Sequence, residues 1–197
     1  PPPQPANGAP LSPFSAKSHT LYYNRMNPSE VNILITTPNL IPFQLLVLPL
    51  ADVASEGLST SVQVTTGFGK WPCFISRNRI AVLPHGYEGQ IALKNLKNET
   101  KRRIAHGLNN VTAMFPAGVG HVLLRTADAI HLFDVQARSV VAVLASPNRL
   151  PVKYVVWSKG HTHCALMTKI NVFIVDRKLH TVTTVQETTN IKTGVWD

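Results

Sequence analysis

Cysteine is almost missing: Cys73 and Cys164 are the only two in 197 residues. One optional bridge is the maximum, which excludes a disulfide framework and fits a reducing compartment. Charge is also scarce, with Asp, Glu, Lys and Arg at 15% and only ten acidic residues. Those acids are scattered, so paired-carboxylate hydrolysis has no candidates. Long apolar runs are absent as well. The most apolar stretch, Leu40 to Ala54, is broken by Pro42, Gln44, Pro49 and Asp52, whereas a spanning helix needs roughly 20 apolar residues in a row. No basic-then-apolar leader follows Pro1, and the chain stops at Val195-Trp196-Asp197 directly after an apolar run, so it reads as a piece of something longer. No extended i, i+3, i+4, i+7 stripe occurs, which argues against long helices. There is no Gly-x-Ser-x-Gly elbow and no recognisable triad serine. The expectation is no enzyme and no cofactor.

Apolar residues, by contrast, are plentiful at 44%, enough for a core and too many for a disordered chain. The formal charge is +9 and the sequence pI about 9.9. Such a balance suits an anionic partner or a solubility charge spread over the surface. Residues 1–18 hold six of the fifteen prolines and no periodic apolar pattern. Proline lacks the N–H and fixes φ, so this stretch is expected to be a disordered, Pro-rich arm, with residues 19–197 forming the folded domain.

From Tyr22 onward, short runs rich in Val, Ile, Leu and Thr alternate with Asn, Pro, Gly, Ser and Asp clusters. These are strands with turn punctuation. They also repeat. Val111-Thr-Ala-Met-Phe115 opens one unit, Val152-Lys-Tyr-Val-Val-Trp157 the next 41 residues on, and Ile191-Lys-Thr-Gly-Val-Trp196 a third after 39 more. Weaker units run from Trp71 to about Ala105 and from Leu21 to Thr66. Four short strands every ~40–45 residues is the period of WD40 propeller blades. The chain is therefore expected to be all-β: a partial WD40-type β-propeller of about four blades, each of four antiparallel strands. In this register Trp196 falls on Trp157, at the end of a first strand. The WD positions are instead Phe133-Asp134 and Val175-Asp176, where the apolar residue packs between blades and the Asp accepts hydrogen bonds from a turn. An incomplete ring leaves a blade face open, and Val155, Leu166, Val172 and Ile174 are expected on it.

Three motifs could carry chemistry. His161-Thr162-His163-Cys164 holds two His on one face of a strand and Cys164 on the other, without the second ligand pair zinc requires, so no metal site is expected. Gly67-Phe-Gly69-Lys70 echoes a phosphate loop but lacks its remaining spacing and reads as a turn. Lys94, Lys97, Lys101, Arg102 and Arg103, with Glu99 the only acid among them, should crowd one rim. They are either a solvated hairpin tip or a contact for an anionic partner such as RNA or a phospholipid surface. No aromatics are interleaved to stack bases, which makes nucleic acid the poorer choice.

Several stretches resemble one family. Arg77-Asn-Arg-Ile-Ala-Val-Leu83, Lys94-Asn-Leu-Lys-Asn-Glu99 and Leu123-Leu-Arg-Thr-Ala-Asp-Ala-Ile-His-Leu-Phe-Asp-Val-Gln136 are similar to the alpha subunit of coatomer. So are Val152-Lys-Tyr-Val-Val-Trp-Ser158, Asp176-Arg-Lys-Leu179, Ile191 to Asp197 and, upstream, Tyr23-Asn-Arg-Met-Asn-Pro-Ser-Glu30. The resembling part is that subunit's second propeller. The resemblance implies a structural scaffold of the COPI vesicle coat, in Golgi-to-ER retrograde and intra-Golgi transport. It implies other coatomer subunits as partners, chiefly beta-prime, and a cytoplasmic location, peripheral on Golgi membranes and COPI-coated vesicles. Within it, Trp71-Pro72-Cys73 departs from a regular first strand, because Pro72 removes a ladder donor.

Overall fold

The computed structural model describes residues 20–36, 42–50, 62–145, 151–187, 189–192 and 194–196. The Pro-rich stretch 1–18 lies outside them. Sixteen strands among the described residues form four antiparallel sheets of four, each a simple meander. The first sheet holds β1 (Thr20–Tyr23), β2 (Glu30–Thr36), β3 (Pro42–Pro49) and β4 (Gln63–Phe68). The second holds β5 (Lys70–Ser76), β6 (Arg79–Leu83), β7 (Gln90–Asn95) and β8 (Thr100–Ala105). The third holds β9 (Ala113–Pro116), β10 (His121–Arg125), β11 (Ala129–Asp134) and β12 (Ser139–Ala145). The fourth holds β13 (Tyr154–Trp157), β14 (His163–Met167), β15 (Asn171–Asp176) and β16 (Thr181–Gln186). These are the blades of a β-propeller, and the repeat seen in the sequence is one blade long.

Within the blades the buried residues concentrate on the inner and middle strands, except that β1 of the first blade is itself largely exposed. Middle strands such as β10 carry buried triplets, Val122, Leu123 and Leu124. Fourth strands face water: β16 is exposed throughout and β12 alternates between exposed and half-buried. Successive strand residues point to opposite faces, so a middle strand covered on both sides must be apolar without alternation, whereas an edge strand can use Thr, Ser and Gln.

Three apolar cores lie between the blades. Leu34, Phe43 and Leu45 of the first blade meet Phe74, Ile80 and Val82 of the second. Cys73, Ala81, Leu93 and Ile104 meet Met114, Val122, Leu124 and Phe133. Phe115, Leu123, Ile130 and Leu132 meet Cys164, Leu166, Phe173 and Val175. Among the described residues no such core joins the fourth blade to the first.

Three expectations need correction. Leu166 is fully buried and Val155 packs beside it, both in the seam with the third blade. Of the four residues assigned to an open face, only Val172 and Ile174 alternate away from that seam, both half-buried. The start of the next repeat is held against this blade: Ile191 N–H donates to Lys169 O at 2.8 Å, and Gly194 lies against the Met167 side chain. Gly67-Phe-Gly69-Lys70 is not a turn, because Gly67 and Phe68 end β4 and Lys70 starts β5. Gly69, at φ 142°, makes the crossing between blades. His161 is in the turn before β14, at φ 53°, and not on the strand.

Pro72 distorts its strand as its missing N–H requires. Pairing of β5 with β6 slips between Lys70 and Cys73 and again between Phe74 and Ser76, and Trp71 adopts φ 55°. The Trp71 ring turns toward Phe115 of the next blade, with centroids 6.0 Å apart.

Candidate functional site

In the third and fourth blades the turn after the third strand is tied by an aspartate, and in the second blade Asn95 Oδ1 accepts from Glu99 N–H at 2.9 Å. Asp134 Oδ1 accepts from the amides of Gln136 (2.7 Å) and Ala137 (2.9 Å), and His121 Nε2 stands 3.5 Å from its other oxygen. The Ala137 amide, then the Gln136 amide and His121, hold its carboxyl below the usual carboxylate range against its partial burial. One blade on, Asp176 Oδ1 accepts from Lys178 N–H and His180 N–H, both at 2.8 Å. Phe133 and Val175, each preceding its Asp, are fully buried in successive seams. Replacing Asp134 by Ala orphans two turn amides that water can partly re-satisfy, so a loss of about 1 kcal/mol is expected in a urea melt.

The tryptophans bridge blades. Trp157 Nε1 donates to Pro116 O of the preceding first strand at 2.8 Å, and Trp196 Nε1 donates to Val156 O at 2.9 Å. One indole thus repeats one blade later with nearly the same acceptor. Other side chains add to the seam between the third and fourth blades and tie the first blade to the second. The Arg125 guanidinium donates to Val152 O. Asn24 Nδ2 donates to Arg77 O at 3.0 Å, and Arg77 returns bonds to Asn27 Oδ1 (3.2 Å) and Ser29 Oγ (2.7 Å). Asn24, Asn27 and Asn32 are buried together in this junction, and buried amides hold only when paired.

The basic residues divide: Lys94, Lys101 and Arg102 line one cleft between the second and third blades, whereas Lys97 and Arg103 are not part of its lining. Lys94 Nζ donates to Asn98 O at 3.2 Å, and burial, with Arg103 nearby, lowers its pKa. Lys101 pairs with Glu99 at 2.6 Å on an exposed surface. Arg103 sits over the Tyr87 ring, 5.0 Å from its centroid. Arg102 lines the cleft between the second and third blades with Arg79, and Lys97 lies in the turn between β7 and β8. In the His-Cys stretch, Cys164 is buried among apolar residues, which raises its pKa. His163 is exposed at the start of β14, and the His161 ring lies against Trp157 with centroids 6.2 Å apart. Among the described residues no three His, Cys, Asp or Glu side chains converge.

A family described as COPA/B second beta-propeller matches residues 20–197, which include all four blades. The chain belongs to that family. The putative coatomer subunit alpha of Schizosaccharomyces pombe is 38% identical over 151 residues, 76% of this chain and 12% of that protein. Coatomer subunit alpha-2 of Arabidopsis thaliana is 37% identical over 156 residues, 79% of this chain and 12% of the relative. Coatomer subunit alpha of Saccharomyces cerevisiae is 33% identical over 171 residues, 87% and 14% respectively. The chain thus spans only 12% to 14% of the length of these relatives.

Within this COPA/B second-propeller chain, His106 is a buried residue that sequence reasoning passed over. Its Nδ1 accepts from Leu108 N–H at 3.1 Å, so Nε2 carries the proton donated to Glu88 O at 2.8 Å. Burial lowers its pKa from 6.5, against the Glu88 bond that raises it. The unfolded chain therefore takes up this proton first as pH falls, and stability drops from about pH 6.5 toward the lower folded value. The melting midpoint should be lower at pH 5.5 than at 7.5, and His106→Gln should shrink that difference. Neither Asn24 nor His106 belongs to a periodic pattern. Only their partners, which lie elsewhere in the chain, make them structural.

Proposed function

We propose that this chain is a structural component of the COPI vesicle coat, serving retrograde Golgi-to-ER and intra-Golgi transport. Membership of the coatomer second-propeller family across residues 20–197 carries this reading. The geometry supports it: the polar side chains at the repeat positions are spent on turns and seams, which builds a rigid platform. Phe133, Asp134, Val175, Asp176, Trp157 and Trp196 serve as blade-forming positions. The partners are other coatomer subunits, chiefly beta-prime, and the location is the cytoplasmic face of Golgi membranes and COPI vesicles, reached through the coat. Among the described residues no helix is long and apolar enough to cross a membrane. Affinity capture of the tagged chain from cytosol, read by mass spectrometry, tests this. Coatomer subunits retained at physiological salt are the expected result, and their absence from a folded bait would contradict it.

A further inference from the structure

The cleft between the second and third blades has the make-up of a peptide-binding groove. It encloses about 830 Å³. Its floor is the apolar seam, with Leu93, Ile104 and Val135 at the base. One wall carries Arg79, Lys101 and Arg102, all exposed. Among the described residues no carboxylate is ion-paired with either arginine, and Glu99 is engaged by Lys101. The opposite wall is the turn between β9 and β10, where Val119 is 67% exposed. One blade on, the next cleft holds the same residue types with the walls exchanged: exposed Val141 and Val143 are on the third blade, and Arg177, Lys178 and His180 are on the fourth. The first cleft is the stronger anion site, because neither of its arginines is ion-paired among the described residues, whereas in the second His180 is already bonded to Asp176.

We propose that the groove between the second and third blades binds an extended acidic segment of a partner protein, with carboxylates on Arg79 and Arg102 and apolar side chains against Val119 and the seam. Charge complementarity selects the acid. The apolar wall and floor select a peptide over a bare phosphate, and the groove offers no aromatic face for stacking bases. A membrane surface is flat, whereas these guanidinium groups line a recess. A carboxylate also suits the two-pronged donor geometry of arginine.

Fluorescence anisotropy of the folded chain with a labelled peptide of alternating glutamate and leucine tests this at physiological salt. Parallel probes are the lysine–leucine peptide, single-stranded RNA and phosphatidylserine vesicles. The expected result is saturable binding of the acidic peptide alone. Arg79→Glu with Arg102→Glu should weaken it about tenfold or more, while Lys159→Glu, on an exposed turn of the fourth blade, should leave it unchanged. Val119→Asp, which alters only an exposed residue on the opposite wall, should also weaken it and serves if the double variant fails to fold. Failure of the peptide to bind would overturn the proposal. So would tighter binding of RNA or vesicles, or equal losses in Lys159→Glu and the groove variants.

Discussion

Replacing Phe133 by Ala should cost about 3–5 kcal/mol, the range for emptying a large aromatic site in a core. Phe133 is fully buried between the second and third blades, beside Leu93, Ile104 and Leu124. Both walls of that space are hydrogen-bonded sheets, and sheets cannot close on a void as loose side chains can. Net stability of a domain is typically about 5–15 kcal/mol, so such a loss takes a large share of it. Phe133→Leu keeps most of the volume and should cost much less. Urea melts of the three proteins, compared at equal slope, measure this. Similar midpoints for the Ala and Leu variants would show that the seam is looser than its burial indicates.

Gly67→Val should be comparably disruptive for the opposite reason. A Cβ at this position would overlap the Phe43 ring and stand 2.6 Å from the Asn98 side chain. Neither neighbour yields easily. Phe43 is locked in the core between the first two blades, and Asn98 Nδ2 donates to Thr66 O at 2.6 Å, tying the β7–β8 turn to the outer strand of the first blade. Overpacking of this kind costs about 1–3 kcal/mol or more, with the cross-blade bond lost in addition. Gly89→Ala is the control: nothing lies within 4 Å of its added Cβ, so a change within about 0.5 kcal/mol is expected. Thermal melts should separate the two variants clearly.

The blade repeat was legible because each blade restates the same physical requirement. A strand covered on both faces must be apolar, a turn after it needs an acceptor, and Val152 to Trp157 echoes Val111 to Phe115 for that reason. The strand Thr20–Tyr23 was harder to isolate, since one four-residue strand beside a proline-rich stretch carries little period. The seams were not legible. Asn24 and Arg77, or Trp157 and Pro116, lie dozens of residues apart, and no local pattern links a donor to a carbonyl in another blade. The basic cluster was legible in part: Lys94, Lys101 and Arg102 line one cleft, whereas Arg103, next to Arg102 on β8, alternates to the other side of the strand and covers the Tyr87 ring. Gly67 was misread because its cause is a steric contact with Phe43 and Asn98, while its glycine-rich surroundings suggest a loop.

That this chain is a working second-propeller segment of a coat subunit can be tested by substitution. Residues 20–197 would replace the matching region of the Saccharomyces cerevisiae coatomer subunit alpha, and purified coatomer would be assayed for the chimaera at stoichiometric level. Incorporation with retained retrieval of Golgi cargo to the ER is the predicted result, with incorporation reduced by Phe133→Ala. A chimaera that is stably expressed and folded but excluded from coatomer would contradict the account.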